Sequence, residues 1–193
     1  SMLADLGAAV MDADAISRTL TAPGGLAIAA IRQTFGAGFI TPDGALNRDR
    51  MRSLAYADPS ARQNLEAIIH PLVGQETWRQ AMAAQEAGSV CLVFDIPLLV
   101  ESSHWRQKVH QVVVVDCTTP SQIARVMARN AMERAAVEAI VAAQASRQRR
   151  LKAADAVIFN DGISLPQLRL QVQLLASDFG LSSVHSTDPS KLA

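Results

Sequence analysis

Two carboxylates and an arginine, Asp12, Asp14 and Arg18, stand just behind a short apolar run at residues 8–11. Leu3–Gly7 reads as the last turn of a helix capped by Gly7, Ala8–Met11 as a strand, and Asp14–Leu20 as a helix beginning at that strand's tip. Arg18 then lies one helical turn beyond Asp14. In an open α/β sheet the carboxyl ends of strands are where ligands bind. An aspartate there can accept a hydrogen bond from a substrate hydroxyl and draw off its proton, while an arginine can hold a phosphate. The same residues also fit helix capping by Asp12 or Asp14 with an i,i+4 ion pair to Arg18.

A second acidic pair follows the apolar run Val90–Asp95, which continues as Ile96-Pro97-Leu98-Leu99-Val100-Glu101. Asp95 can hold magnesium through water, as acidic residues at strand ends do in phosphate-transfer enzymes, or it can cap the next element. His70-Pro71 ends the apolar helical run Leu65–Ile69, where proline enforces a break or kink, and a histidine at a helix end is commonly a cap or a packing residue. His104, His110 and His185 have no partners at metal-ligand spacing. Arg125, Arg129, Arg134, Arg147, Arg149 and Arg150 form the one basic concentration, and between residues 121 and 152 only Glu133 and Glu138 oppose them. Arg125 and Arg129 share a helical face, which suits a clamp on transferring phosphates as well as a solvated surface. The imbalance favours an anionic partner.

The elements that must position these residues alternate between strand-like and helical patterns, which predicts an α/β fold, a parallel sheet with helices on both faces. Its core is expected over residues 1–20, 88–120 and 153–180, with strands at Ala8–Met11, Val90–Asp95, Gln111–Val115 and Ala156–Phe159. Residues 21–87 carry no strand pattern and read as a helical insertion broken at Pro23-Gly24-Gly25, Phe35-Gly36, Pro42-Asp43-Gly44 and Asp58-Pro59, ending in a helix from about Val73 to Ala87. Asp116 starts the turn into an arginine-rich lid at 121–152, which Thr118-Thr119-Pro120 opens as cap and first turn. After Asn160-Asp161-Gly162 comes a closing helix, Leu165–Phe179, and residues 181–193 read as a disordered tail.

Balanced charge, 18 basic against 18 acidic side chains, supplies no global field for nucleic acid or an anionic membrane, and 4% aromatic content leaves few rings for stacking on bases. No segment approaches the roughly 18 apolar residues of a membrane helix. Cys91 and Cys117 sit in or beside apolar strands, as free thiols of a reduced, cytoplasmic protein do.

The series Val10-Met11-Asp12-Ala13-Asp14 with Arg18, Pro23-Gly24, Phe35-Gly36, Asp43-Gly44 with Leu46 and Arg48, Ile69-His70-Pro71, Pro97-Leu98-Leu99 with Glu101, Val114-Val115-Asp116, Gln144 to Arg150, and Ala154-Asp155-Ala156-Val157-Ile158 with Asn160 and Gly162 resembles the dephospho-CoA kinase family. The likeness runs in order over about residues 3–178. It implies a P-loop kinase fold that uses ATP and Mg2+ to phosphorylate the ribose 3′-hydroxyl of dephospho-CoA. By that resemblance Asp14 is the base at the hydroxyl and Arg18 a substrate-side partner, while His70, Pro97, Leu98 and Glu101 line the acceptor pocket. Arg125 and Arg129 match the lid arginines that close over the phosphates, and Arg150 and Asn160 lie toward the adenine of the nucleotide.

Members of that family begin with a strand and a GxxGxGKS loop whose backbone amides and lysine cradle the ATP phosphates. No such loop occurs in these 193 residues. The fold expected is therefore P-loop nucleoside-kinase-like without its usual first strand, with an incomplete ATP site and little activity of its own. That strand belongs in mid-sheet, so its loss predicts a slot open to self-association. Met2 behind a lone serine reads as an internal start, and the natural protein is expected to carry the segment. Another small-molecule or nucleoside monophosphate kinase of this fold, or a non-catalytic CoA-binding relative, are the alternatives.

Overall fold

A computed structural model describes residues 1–102 and 105–181. His104, His185 and the tail beyond Leu181 lie outside the described residues. In chain order the elements are α1 (Met2–Asp5), β1 (Ala9–Asp12), α2 (Ala13–Leu20), α3 (Ile28–Phe35), α4 (Arg48–Ala57), α5 (Pro59–Glu86), β2 (Leu92–Asp95), β3 (Val113–Asp116), α6 (Thr119–Asn130), α7 (Arg134–Ala143), α8 (Arg147–Ala153), β4 (Ala156–Phe159) and α9 (Leu165–Asp178). They fall into two compact units, Ala8–Pro97, and Ser1–Gly7 with the chain from Leu98 onward. Each unit holds one two-stranded parallel ladder. The fold is thus α/β with parallel strands, but among the described residues the four strands pair in twos and not in a single sheet.

In the first unit, β1 and β2 run in register from Ala9 opposite Leu92 to Asp12 opposite Asp95, so the two aspartates share the carboxyl end of the ladder. Val90, expected inside β2, lies outside the ladder and is exposed, because pairing with Ala9 begins at Leu92. Helix α2 starts at once because the Ala15 amide donates to the Asp12 carboxylate (2.8 Å). Ile16 and Leu20, one turn apart, are buried together with Ala27, Ile31, Leu46 and Met51. The buried Thr21 ties the end of α2 to the start of α4: its hydroxyl donates to the Ser17 carbonyl and accepts from Arg48 Nη2, each at 2.8 Å.

Helix α5 overturns the break expected at His70-Pro71. It runs 28 residues without interruption, with Pro71 inside it. An interior proline costs about 3 kcal/mol. Here the helix packs along its length on α2, α3, α4, β1 and β2, and Trp78 meets Phe94 at 5.3 Å, so tertiary burial outweighs the local cost. His70 is accordingly a mid-helix, exposed residue and no cap.

Farther along α5, the Thr77 side chain is buried and its hydroxyl has no hydrogen-bond partner among the described residues. Valine keeps the shape and removes the unsatisfied group. Thr77→Val is expected to raise stability by about 1 kcal/mol. A rise in the urea midpoint at unchanged slope would show it, and a fall would mean that the hydroxyl is bonded.

In the second unit, β3 and β4 pair from Val113 opposite Ala156 to Asp116 opposite Phe159. As the Thr-Thr-Pro triplet predicts, Thr118 caps α6 and a proline occupies its first turn. Ser164 and Gln167 form a capping box at α9. Gln171 of that helix reaches back to accept from the Phe159 amide (3.1 Å) and donate to its carbonyl (3.2 Å), covering backbone groups at the end of β4.

Candidate functional site

The first unit brings together Asp12, Asp14, Arg18 and Asp95, and gives the two neighbouring aspartates different tasks. Asp12 is the N-cap of α2 and the residue that Arg18 approaches, at 3.8 Å between exposed side chains. An i,i+4 pair between Asp14 and Arg18 was one reading of the spacing; the arginine turns instead to the strand end. Asp14, in the first turn of α2, is exposed and accepts no hydrogen bond among the described residues. Partial burial and then the charges of Asp12 and Asp14 hold the Asp95 carboxyl above its ordinary value. Among the described residues, no group of three or more His, Cys, Asp or Glu is close enough to hold a metal ion.

Beside α2 lies an open cleft of about 420 Å³, walled by Val10, Ile16, Leu20 and Leu26 with Asp12, Glu76 and Gln80 among its polar lining. Sequence reasoning missed it. Glu76 is held by Arg79 through two contacts of 2.7 Å and by Gln80 at 2.8 Å, which bring its carboxyl down to about 2. The i,i+3 spacing of Glu76 and Arg79 was the one available signal. His70 and Pro97 are exposed elsewhere in this unit and do not line the cleft.

Leu98 opens the second unit with φ of +59° and its side chain half exposed. A leucine in the left-handed region is a strained position held by its surroundings. Glu101 is not left free toward a pocket, because its Oε1 accepts the Ala145 amide at 2.6 Å. The Ala145 carbonyl in turn accepts from Arg150 Nη1 at 2.7 Å.

The lid arginines divide. Arg125 and Arg129 are exposed on α6, Arg129 bonded to Asn130 beside it. Arg134 pairs with Glu138, and Arg149 reaches the Val100 carbonyl at 3.4 Å. Arg147 grips Asp116 with contacts of 2.9, 3.0 and 2.6 Å. This corrects the expectation that Asp116 merely starts a turn: it ends β3, its side chain is 4% exposed, and the Arg147 guanidinium lowers its carboxyl below the ordinary value. Part of the imbalance counted over residues 121–152 is therefore neutralised from outside that window. The Asn160 amide donates to the Asp116 carbonyl at 2.8 Å, so Asn160 and Arg150 both lie near the end of β3.

Asp161 anchors the start of α6. It accepts from the Thr118 hydroxyl (2.6 Å), the Ser121 hydroxyl (2.7 Å) and the Thr118 amide (2.9 Å), bonds that bring its carboxyl from 3.8 to about 2. A depressed carboxylate contributes stability above its unfolded value, and that stability is lost as pH falls through the folded one. The second unit is therefore expected to hold its melting temperature down to about pH 5 and to lose it between about pH 4 and 2. Asp161→Asn should flatten that acid limb in a calorimetric pH series; a limb of unchanged steepness would remove Asp161 as a contributor.

Known proteins share this order of residues. Residues 1–165 match the family described as dephospho-CoA kinase. A dephospho-CoA kinase of Albidiferax ferrireducens is 64% identical over 181 residues, covering 94% of this chain and 85% of that protein. One from Burkholderia pseudomallei is 53% identical over 170 residues, 88% of this chain and 82% of the other. Among solved structures, TT1252 from Thermus thermophilus aligns with a TM-score of 0.71 at 28% identity, over 92% of this chain and 87% of that one. The dephospho-CoA kinase from Campylobacter jejuni shares the fold at a TM-score of 0.65 and 21% identity, over 91% and 87% of the two chains. With a family match over most of its length and relatives this similar, the chain belongs to the dephospho-CoA kinase family of kinases.

Proposed function

We propose that this chain serves the ATP-dependent phosphorylation of the ribose 3′-hydroxyl of dephospho-CoA. The observation that carries the reading is Asp14: a carboxylate without a bond among the described residues, at a strand tip, in a chain of this family. The hydroxyl oxygen attacks the γ-phosphorus of ATP, the bond from that phosphorus to the ADP oxygen breaks, and Asp14 takes the hydroxyl proton. Arg18, His70, Pro97, Leu98 and Glu101 belong to the acceptor side. Exposed Arg125 and Arg129 offer guanidinium forks to the transferring phosphate, and Arg150 with Asn160 serves the nucleotide.

Magnesium fits the strand tip in a limited way. With no three-ligand group among the described residues, Asp95 would supply one carboxylate and leave the rest of the shell to water and phosphate oxygens, as that ion prefers. The raised carboxyl of Asp95 is consistent with a place where a cation would relieve the crowding of Asp12 and Asp14. Bound there, the ion would neutralise phosphate charge. The free thiols of Cys91 and Cys117 accord with a reducing cytoplasm.

These 193 residues contain no GxxxxGK[S/T] loop, so we further propose that by themselves they bind dephospho-CoA but hold ATP weakly and turn over slowly. Calorimetry with each ligand, and phosphorylation assays offering dephospho-CoA beside nucleosides, nucleoside monophosphates and shikimate, test both halves. Dephospho-CoA should bind and be the acceptor, and a form preceded by such a loop should turn over far faster. Preference for another acceptor would overturn the substrate, and equal turnover by the two forms would overturn the donor half.

A further inference from the structure

The acceptor loop and the arginine segment are joined at one peptide group, and a single carboxylate makes the joint. Glu101 lies in the turn that follows Leu98, where the Glu101 amide donates to the Leu98 carbonyl (3.1 Å) and the Ser102 amide to the same carbonyl (3.2 Å). That turn is locally over-determined, since it also holds Leu98 at φ +59°. From it Glu101 Oε1 crosses 44 positions of sequence to accept the Ala145 amide at 2.6 Å. Ala145 is buried and immediately precedes Ser146, whose hydroxyl caps α8 by accepting from the Arg149 amide.

Three other contacts converge there. The Ala145 carbonyl accepts from Arg150 Nη1 at 2.7 Å, Arg149 Nη2 reaches the Val100 carbonyl at 3.4 Å, and Arg147 is bound to the buried Asp116. Both polar groups of the Ala145 residue are thus used, the amide by the loop and the carbonyl by the arginine segment. A buried amide that lost its carboxylate would be an unsatisfied donor, which is costly and would free the head of a seven-residue helix. The carboxylate is a charge-assisted acceptor, stronger than a neutral one.

We propose that Glu101 is a positioning residue, a latch that fastens the acceptor loop 98–102 to the head of α8 and so relays the state of that loop to Arg149 and Arg150. This rests on the acceptor role proposed above for Leu98 and its neighbours, and it deepens that role: Glu101 acts through the Ala145 amide and is not itself a ligand of the acceptor. Glutamine retains an acceptor oxygen at the same reach, whereas alanine retains none, so the two substitutions separate geometry from mere presence of a side chain.

The test is amide hydrogen exchange and nuclear magnetic resonance on the full chain, with dephospho-CoA as the probe. In Glu101→Ala the Ala145 amide is expected to exchange about tenfold faster or more, and Glu101→Gln should restore most of the protection. Dephospho-CoA should shift the Arg149 and Arg150 amide resonances in the wild type and in Glu101→Gln. In Glu101→Ala it should bind with affinity within about threefold yet leave those resonances in place. Unchanged protection of Ala145 in Glu101→Ala would overturn the latch, as would shifts at Arg149 and Arg150 that persist in that variant. A loss of dephospho-CoA affinity of about tenfold with Ala145 still protected would overturn it too, by making Glu101 a direct ligand. Should Glu101→Ala fail to fold, Glu101→Asp, one methylene short, reads the same exchange. Absence of dephospho-CoA binding by the wild type would defeat the substrate reading, and the latch would then be judged by the exchange rate alone.

Discussion

Asp14→Asn, in a form of the protein preceded by a phosphate-binding loop, is expected to lower turnover by about 100- to 10,000-fold while dephospho-CoA affinity changes far less. The amide has nearly the shape of the carboxylate but cannot take up the hydroxyl proton. The structure makes this substitution cleaner than its neighbour's would be. Asp12, and not Asp14, caps α2 and receives Arg18, so removing the Asp14 charge should leave the helix start and the melting temperature nearly unchanged. Steady-state kinetics alongside thermal melts check both halves. Near-normal turnover would take Asp14 out of the chemistry, and a collapse of stability would show that it has a structural role beyond an exposed first-turn position.

Gly25→Ala is expected to destabilise the first unit by about 3 kcal/mol or more. A Cβ at this position would stand 2.2 Å from the Leu20 carbonyl oxygen, 2.5 Å from its carbon and 2.7 Å from the Thr19 oxygen. These are backbone atoms, which cannot rotate aside as a side chain can. Relief would require the chain to lift away from the end of α2, stretching the bond from the Ala27 amide to the Leu20 carbonyl (3.1 Å) beside the fully buried Ala27 and Ile31. In thermal unfolding the loss corresponds to a fall of about 6 to 12 °C for a chain of this size. The adjacent Gly24 is the control. It has φ of +74° and open space at its Cβ, so Gly24→Ala meets only the left-handed backbone cost of about 1 to 2 kcal/mol. A Gly25→Ala protein melting within about 2 °C of wild type would mean that the chain does not pass this close to the end of α2.

Local chemistry was readable wherever the structure uses a local interaction. Thr118 and Pro120 open α6, Asp12 was one of two candidate caps for α2, and Ala156–Phe159 is a strand over all four expected residues. The ordered series of short motifs was enough to imply the family, although no one of them would have been. The strand tip with Asp12, Asp14 and Asp95 was also legible, because apolar runs ending in carboxylates place those groups at the carboxyl ends of parallel strands. Which aspartate would be spent on capping was not, since both fit the spacing and only the strand's exit geometry separates them.

Contacts between distant segments were invisible. Asp116 and Arg147 are 31 positions apart, Glu101 and Ala145 are 44, and neither pairing has a spacing signature. Counting charges within 121–152 therefore overstated the free basic excess. Pro71 failed as a signal for the opposite reason: the local rule is sound, but burial of α5 along its whole length outweighs it. The cleft beside α2 is of the same kind, made by residues of β1, α2 and α5 that no motif joins.

By itself the sequence determined what neighbours within a few residues can settle: where helices begin, which runs are apolar enough to be strands, which carboxylates end them, and the family those features compose. Tertiary structure alone decided how the polar groups are divided. It assigned Asp12 to the helix and left Asp14 open, gave Arg147 to Asp116, and fastened Glu101 to a backbone amide. The physical reason is that a cap or a strand tip is stabilised by atoms the chain brings along with it. A partner across tens of residues is fixed only after the chain has met the entropy cost of closing that distance, through the burial of everything in between.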